Sequence, residues 1–109
     1  MKDYKPISYL SLRPMYYILE NKIPMPASLE EWAANFENIN NRRVKETSLD
    51  GNIRVSTVFL GLDHSIEGPP VLFETMVLGG THDFFQERYS TYEEAEKGHE
   101  EAVNMVLNK

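Results

Sequence analysis

Between Arg54 and His99 the chain reads RVSTVFLGLDHSIEGPPVLFETMVLGGTHDFFQERYSTYEEAEKGH, an order of signals that few folds accommodate. The run Val71-Leu72-Phe73-Glu74-Thr75-Met76-Val77-Leu78 is apolar on both sides, as suits a central strand. Gly79-Gly80 closes it. A shorter strand around Gln86 to Tyr89 returns, and Ser90 or Thr91 then opens a helix, with Glu93 or Glu94 as the capping-box partner. Tyr92, Ala95, His99, Ala102, Val103 and Val106 recur at helical spacing and form the inner stripe of that helix.

Upstream, Asp50-Gly51 suits a two-residue type I′ turn, whose positive φ values these residues accept at low cost. That turn sets Ser48 opposite Ile53, Glu46 opposite Val55 and Val44 opposite Thr57. It predicts a core face of Val44, Ile53, Val55 and Phe59, with Arg43, Lys45, Thr47, Arg54 and Ser56 on the other face. The second face becomes apolar at Val58, Leu60 and Leu62, where something must cover it. Before the hairpin, Ser28 and Glu31 fit a capping box, and Leu29, Trp32, Ala33 and Phe36 follow at helical spacing. Asn38, Asn40 and Asn41 end that helix. Earlier still, Pro6, Pro14, Pro24 and Pro26 surround Met15-Tyr16-Tyr17-Ile18-Leu19, which forbids a long helix and predicts an extended arm with one short strand or turn.

The predicted fold is therefore α+β: an antiparallel three- to four-stranded meander sheet flanked by an N-terminal and a C-terminal helix, with helices on one sheet face and an extended N-terminal arm. Residues 1–23 read as the arm and 24–109 as a single domain. At 109 residues there is room for one modest core. A net charge of −6 disfavours nucleic acid as a partner, because binders of polyphosphates carry a basic stripe. The helix, three-strand, helix order is shared with double-stranded-RNA-binding domains, but Tyr92-Glu93-Glu94-Ala95-Glu96 at the start of the last helix would repel phosphates. The chain has no cysteine, which excludes a thiolate nucleophile and Cys-rich zinc sites. Neither a signal-peptide core nor an apolar run long enough to span a bilayer is present, so a cytoplasmic protein without membrane contact is expected.

No phosphate-binding glycine loop, serine elbow or helical histidine pair occurs. No catalytic residue, metal or cofactor is assigned, and a non-enzymatic role is expected. His64 and His82 fall at opposite ends of the eight-residue Val71 to Leu78 run, about 26 Å apart at roughly 3.3 Å per residue, too far to share an ion. The polar groups that do gather are Asp63, His64, Arg88 and Tyr89, beside the start of the last helix, where free N–H groups favour an anion. Glu74, in the central strand, needs a partner, with Arg54 or Lys45 in reach. His99, on the apolar stripe, reads as a packed histidine with one hydrogen bond. Arg42, Arg43, Lys45 and Arg54 form a local basic patch that keeps a nucleic-acid reading open. Tyr16, Tyr17, Ile18 and Leu19 lie either on the chain's own core or against another copy, and predict a homo-oligomer.

The strings VSTVFLGLDHS from Val55, GPPVLFETMVLGG from Gly68 and RYSTYEEAEKGHEEAV from Arg88 resemble a family of small proteins encoded by phages, prophages and plasmids; PMPASLEEWAANFE, from Pro24, fits its usual opening. The resemblance covers about residues 24 to 106 and carries no catalytic residue. It implies a small accessory protein in the host bacterial cytoplasm that meets a protein partner or a second copy and modulates or antagonises a host process. A compact binder or enzyme for a phosphate-containing small molecule, using His64, Arg88 and Tyr89, is the alternative.

Overall fold

A computed structural model describes residues 14–63, 65 and 67–108. The chain opens with a hairpin of β1 (Tyr17–Glu20) and β2 (Ile23–Pro26), then α1 (Leu29–Phe36) and the one-turn α2 (Ile39–Arg42). The strands β3 (Arg43–Leu49), β4 (Ile53–Phe59), β5 (Phe73–Leu78) and β6 (Gln86–Tyr89) follow, and α3 (Tyr92–Asn108) ends the described chain. β3-β4-β5-β6 is an antiparallel meander in sequence order, as the pattern predicts. No helix among the described residues is long and apolar enough to cross a membrane.

Both capping boxes form. Ser28 Oγ accepts from Glu31 N at 3.0 Å while Glu31 accepts from Ser28 N at 2.8 Å. At the start of α3 the pair is Thr91 and Glu94, with the Thr91 hydroxyl accepting from Glu94 N at 3.0 Å and the Glu94 carboxylate accepting from Thr91 N at 3.1 Å. Asn38, expected to end the first helix, also caps the next: its side chain accepts from Asn40 N.

The β3–β4 register differs from expectation. Leu49 pairs with Ile53, Ser48 with Arg54, Thr47 with Val55 and Lys45 with Thr57, so the loop has three residues, Asp50-Gly51-Asn52. Asn52 takes a left-handed φ of 61° after Gly51 at 78°, and asparagine tolerates this well enough to make the longer loop available. A one-residue slip turns each β3 side chain to the opposite face. Lys45, Thr47 and Leu49 thus share the α3 side with Val55 and Thr57, while Glu46 and Ser48 share the outer side with Arg54 and Ser56. A bulge between Arg43 and Lys45 brings Val44 back to the core.

One sheet face carries Val55, Thr57 and Phe59 from β4 and Phe73, Thr75 and Val77 from β5, all buried. α3 covers that face with Ala95, Gly98, His99, Ala102 and Val103. The apolar part is split into two clusters. Tyr17, Phe59, Leu72, Phe73 and Ala95 form one; Val55, Val77, Ala102 and Val103 form the other. α1, by contrast, lies off the sheet face and leans on the hairpin and on Leu60 and Gly61, with Trp32 Nε1 donating to Leu60 O at 3.1 Å. The hairpin also covers the end of the long strand, since Tyr16 bridges Leu62 and Tyr17 N donates to Gly61 O. The described part of the expected arm, from residue 14, forms a hairpin that continues past residue 23, while residues 1–13 lie outside the described residues; of the two places expected for Tyr17, its own core or another copy, the side chain takes the core.

Candidate functional site

The groups singled out by sequence do not converge. Asp63 is 5 % exposed, and its Oδ1 accepts from Ser65 N at 3.0 Å, Ser65 Oγ at 2.6 Å and Val71 N at 3.2 Å, so the carboxylate organises its own loop. His64 lies outside the described residues. Glu74 sits on the outer sheet face and takes neither of its expected partners. Its cross-strand neighbour is Arg88, whose Nε donates to Glu74 Oε2 at 3.1 Å. β6 pairs directly with β5, which brings that guanidinium nearer than the one on Arg54 or the ammonium of Lys45. Tyr89, one residue on, points the other way, under α3, with its ring against Gly98.

The basic patch is likewise divided. Arg43 and Arg54 each approach Glu46 at 3.4 Å on the outer face. Lys45 lies on the α3 side and pairs with Glu100, whose carboxyl is held below its ordinary range by that ammonium. Arg42 lies over the Phe36 ring, 4.1 Å from its centroid, and donates to Phe36 O at 3.0 Å. No continuous basic surface forms from these four side chains.

A polar chain that sequence reading missed runs between the two apolar clusters. His99 is fully buried, and Nδ1 meets Thr57 Oγ1 at 2.7 Å while Nε2 meets Thr47 Oγ1 at 2.8 Å. Thr57 and Thr75 share a further hydrogen bond at 2.5 Å. Both ring nitrogens are thus engaged, rather than one. A threonine near the middle of each of three strands was the available signal, but only the slipped β3 register turns Thr47 inward. Burial lowers the His99 pKa; Glu100 opposes this and Lys45 adds to it. A neutral imidazole held on both sides by hydroxyls, without a carboxylate partner or access to solvent, is built for structure rather than proton transfer.

At the expected ligand end, a shallow cleft of about 400 Å³ is lined by Val71, Arg88, Tyr89, Ser90, Glu94, Lys97, Gly98 and Glu101. The Tyr89 hydroxyl beneath it is buried without a partner in hydrogen-bonding geometry. Burial pushes that phenol up, an effect the nearby Thr75 hydroxyl opposes. The N–H groups of Ser90 and Thr91, the natural anion donors here, are already taken by Glu94.

Unpaired apolar surface, rather than polar chemistry, concentrates in one place. Of the eight large apolar side chains exposed among the described residues, Ile23, Met25, Leu29, Phe36 and Ile39 belong to the hairpin, α1 and α2, Met15 lies two residues before β1, and Phe84 and Leu107 lie on the sheet–α3 body. α1 has no buried residue at all. Tyr16, Trp32 and Phe36 pack in succession as tilted rings, with centroids 5.4 Å and 4.8 Å apart. Comparison of the chain with protein-family models, curated proteins and solved structures finds no match.

Proposed function

We propose that this chain is a small, non-enzymatic phage or prophage accessory protein that works in the host bacterial cytoplasm as a protein-interaction module, with the hairpin–α1–α2 unit as its contact surface. The observation that carries the reading is the gathering of Ile23, Met25, Leu29, Phe36 and Ile39 on one small unit, whereas the larger sheet–α3 body leaves only two large apolar side chains exposed among the described residues, Phe84 and Leu107. Clustered exposure of this kind marks contact surfaces, whereas scattered single residues do not. The phage-family resemblance supports the accessory role and the modulation or antagonism of a host process.

The test is a Leu29→Ser/Phe36→Ser double variant used as bait in a lysate of the host bacterium, beside the parent chain. Host proteins held by the parent and lost by the variant, with an unchanged far-ultraviolet spectrum and melt, support the module. Capture that is identical for both baits overturns it. A second reading, a binder of phosphate-containing small molecules, is favoured by the cleft in which the Arg88 and Lys97 side chains flank Tyr89 and Ser90. A nucleotide panel that raises the melting temperature of the parent, and not of a Lys97→Glu variant, would favour it instead.

A further inference from the structure

The meander has two edges, and they differ. β3 is interrupted by the bulge between Arg43 and Lys45, a device that blunts an edge against further pairing. β6 pairs with β5 in unbroken register from Gln86 to Tyr89 and has no strand on its other side among the described residues. The hydrogen bond from Val77 N to Phe85 O fixes the alternation along it: Phe85, Glu87 and Tyr89 turn their backbone groups to β5, and Gln86 and Arg88 turn theirs outward. Beside that edge lies the cleft of about 400 Å³, with Arg88 and Tyr89 on one side and Lys97, Gly98 and Glu101 of α3 on the other. We infer that this edge and cleft take an extended segment of a partner protein, laid antiparallel to β6 as an added strand, with a lysine or arginine opposite Glu87 and within reach of Glu101. The surface is separate from the hairpin–α1–α2 unit.

The charges select the occupant. Arg88 is taken by Glu74, and Glu94 is taken by the capping box. Glu87 lies directly across from the buried Thr75, which puts its side chain on the α3 side of the sheet. Burial is the first cause of the raised Tyr89 pKa, and Glu87 and Glu101 both add to it, so the two carboxylates flank the same ring. Neither has an ion pair among the described residues, and Lys97 alone on the cleft wall opposes them, which leaves an excess of negative charge for an incoming cation. A second copy is disfavoured on the same ground. The two-fold register that uses both outward residues sets Gln86 against Arg88 and brings Glu87 opposite its own equivalent, at the position where cross-strand side chains come closest. A strand with a cation at that position turns the repulsion into attraction.

The probe is a short end-capped peptide of alternating threonine and valine with one central lysine, beside the same peptide with glutamate in place of the lysine. Each is titrated into the full chain up to about millimolar concentration and followed by amide nuclear magnetic resonance. The lysine peptide is expected to shift the Gln86 and Arg88 amide signals, to slow their exchange with solvent, and to bind about tenfold or more tighter than the glutamate peptide. Glu87→Lys, an exposed change that leaves the melt unaltered, should reverse that preference, and N-methylation of the lysine peptide's backbone should abolish binding. No response at Gln86 and Arg88, equal binding of the two peptides, a preference that survives Glu87→Lys, or full binding of the N-methylated peptide would each overturn the inference. Shifts at those two amides that follow the chain's own concentration with no peptide added would put a second copy on the edge and overturn it as well.

Discussion

α1 and α3 begin in the same way and end up in different surroundings. Each starts on a hydroxyl–glutamate capping box, Ser28 with Glu31 and Thr91 with Glu94, and each carries an apolar stripe. Yet α3 buries Ala95, Gly98, His99, Ala102 and Val103 while α1 buries nothing. Capping settles where a helix begins, not what covers it. Cover comes from topology: the meander offers one full face, α3 takes it, and α1 is left at the end of the sheet with a hairpin for company. The two regions differ in what they cover: the body buries Val55, Thr57, Phe59, Phe73, Thr75 and Val77 beneath α3, and the hairpin–α1–α2 unit leaves most of its large apolar side chains exposed.

The sharpest way to break this contrast is to truncate an apolar side chain in each region. Phe73→Ala, in the fully buried cluster, should cost about 3–5 kcal/mol, whereas Leu29→Ala should stay within about 0.5 kcal/mol, both read from urea melts at low protein concentration. Comparable losses would mean that the α1 stripe is covered within one copy. Next in size is the joint between the regions. Gly61 has a φ of 70°, and a Cβ there would stand 2.5 Å from Tyr17 O. Gly61→Ala should therefore cost about 1–3 kcal/mol and open the hairpin to limited proteolysis near Asn21 and Lys22 with the body still protected.

The mildest effect belongs to His99. Burial holds its folded pKa below the ordinary value, so as pH falls the unfolded chain takes up the proton first. Its contribution is fully present above about pH 6.5 and is lost as pH falls from there toward the lowered folded value, with a slope of at most about 1.4 kcal/mol per pH unit. Glu100, also lowered, acts in the same direction but only toward the carboxylate range. Chemical denaturation across this interval should show the slope in the parent and not in His99→Gln. A slope unchanged in the variant would place the acid sensitivity outside the body's polar chain.

Local signals were legible and non-local choices were not. Two capping boxes, the Gly79-Gly80 stop and the doubly apolar β5 are written in neighbouring residues, and they gave α1, the meander and α3 in order, though not the β1–β2 hairpin or the one-turn α2. The hairpin register was lost at Asn52, where a second residue able to adopt positive φ lengthened the loop. That slip hid Thr47 from the core and so concealed half of the His99 hydrogen bonding. Glu74 was correctly read as needing a partner, but the partner depends on β6 pairing with β5. The arm's apolar run was visible, whereas the burial of Tyr17 and the exposure of Met25 depend on how the hairpin folds back on Gly61.

The polar chain through His99 also bears on how the protein is made. Thr47 and His99 are 52 positions apart, and Thr57 and His99 are 42 apart. While the sheet is emerging from the ribosome, its threonine hydroxyls and the apolar face around them have no lid, because α3 is translated after every strand. The nascent sheet, whose last strand ends at Tyr89, can reach its final packing only when Tyr92–Asn108 arrives, so folding is concentrated late and the completed sheet keeps an open, association-prone face until then.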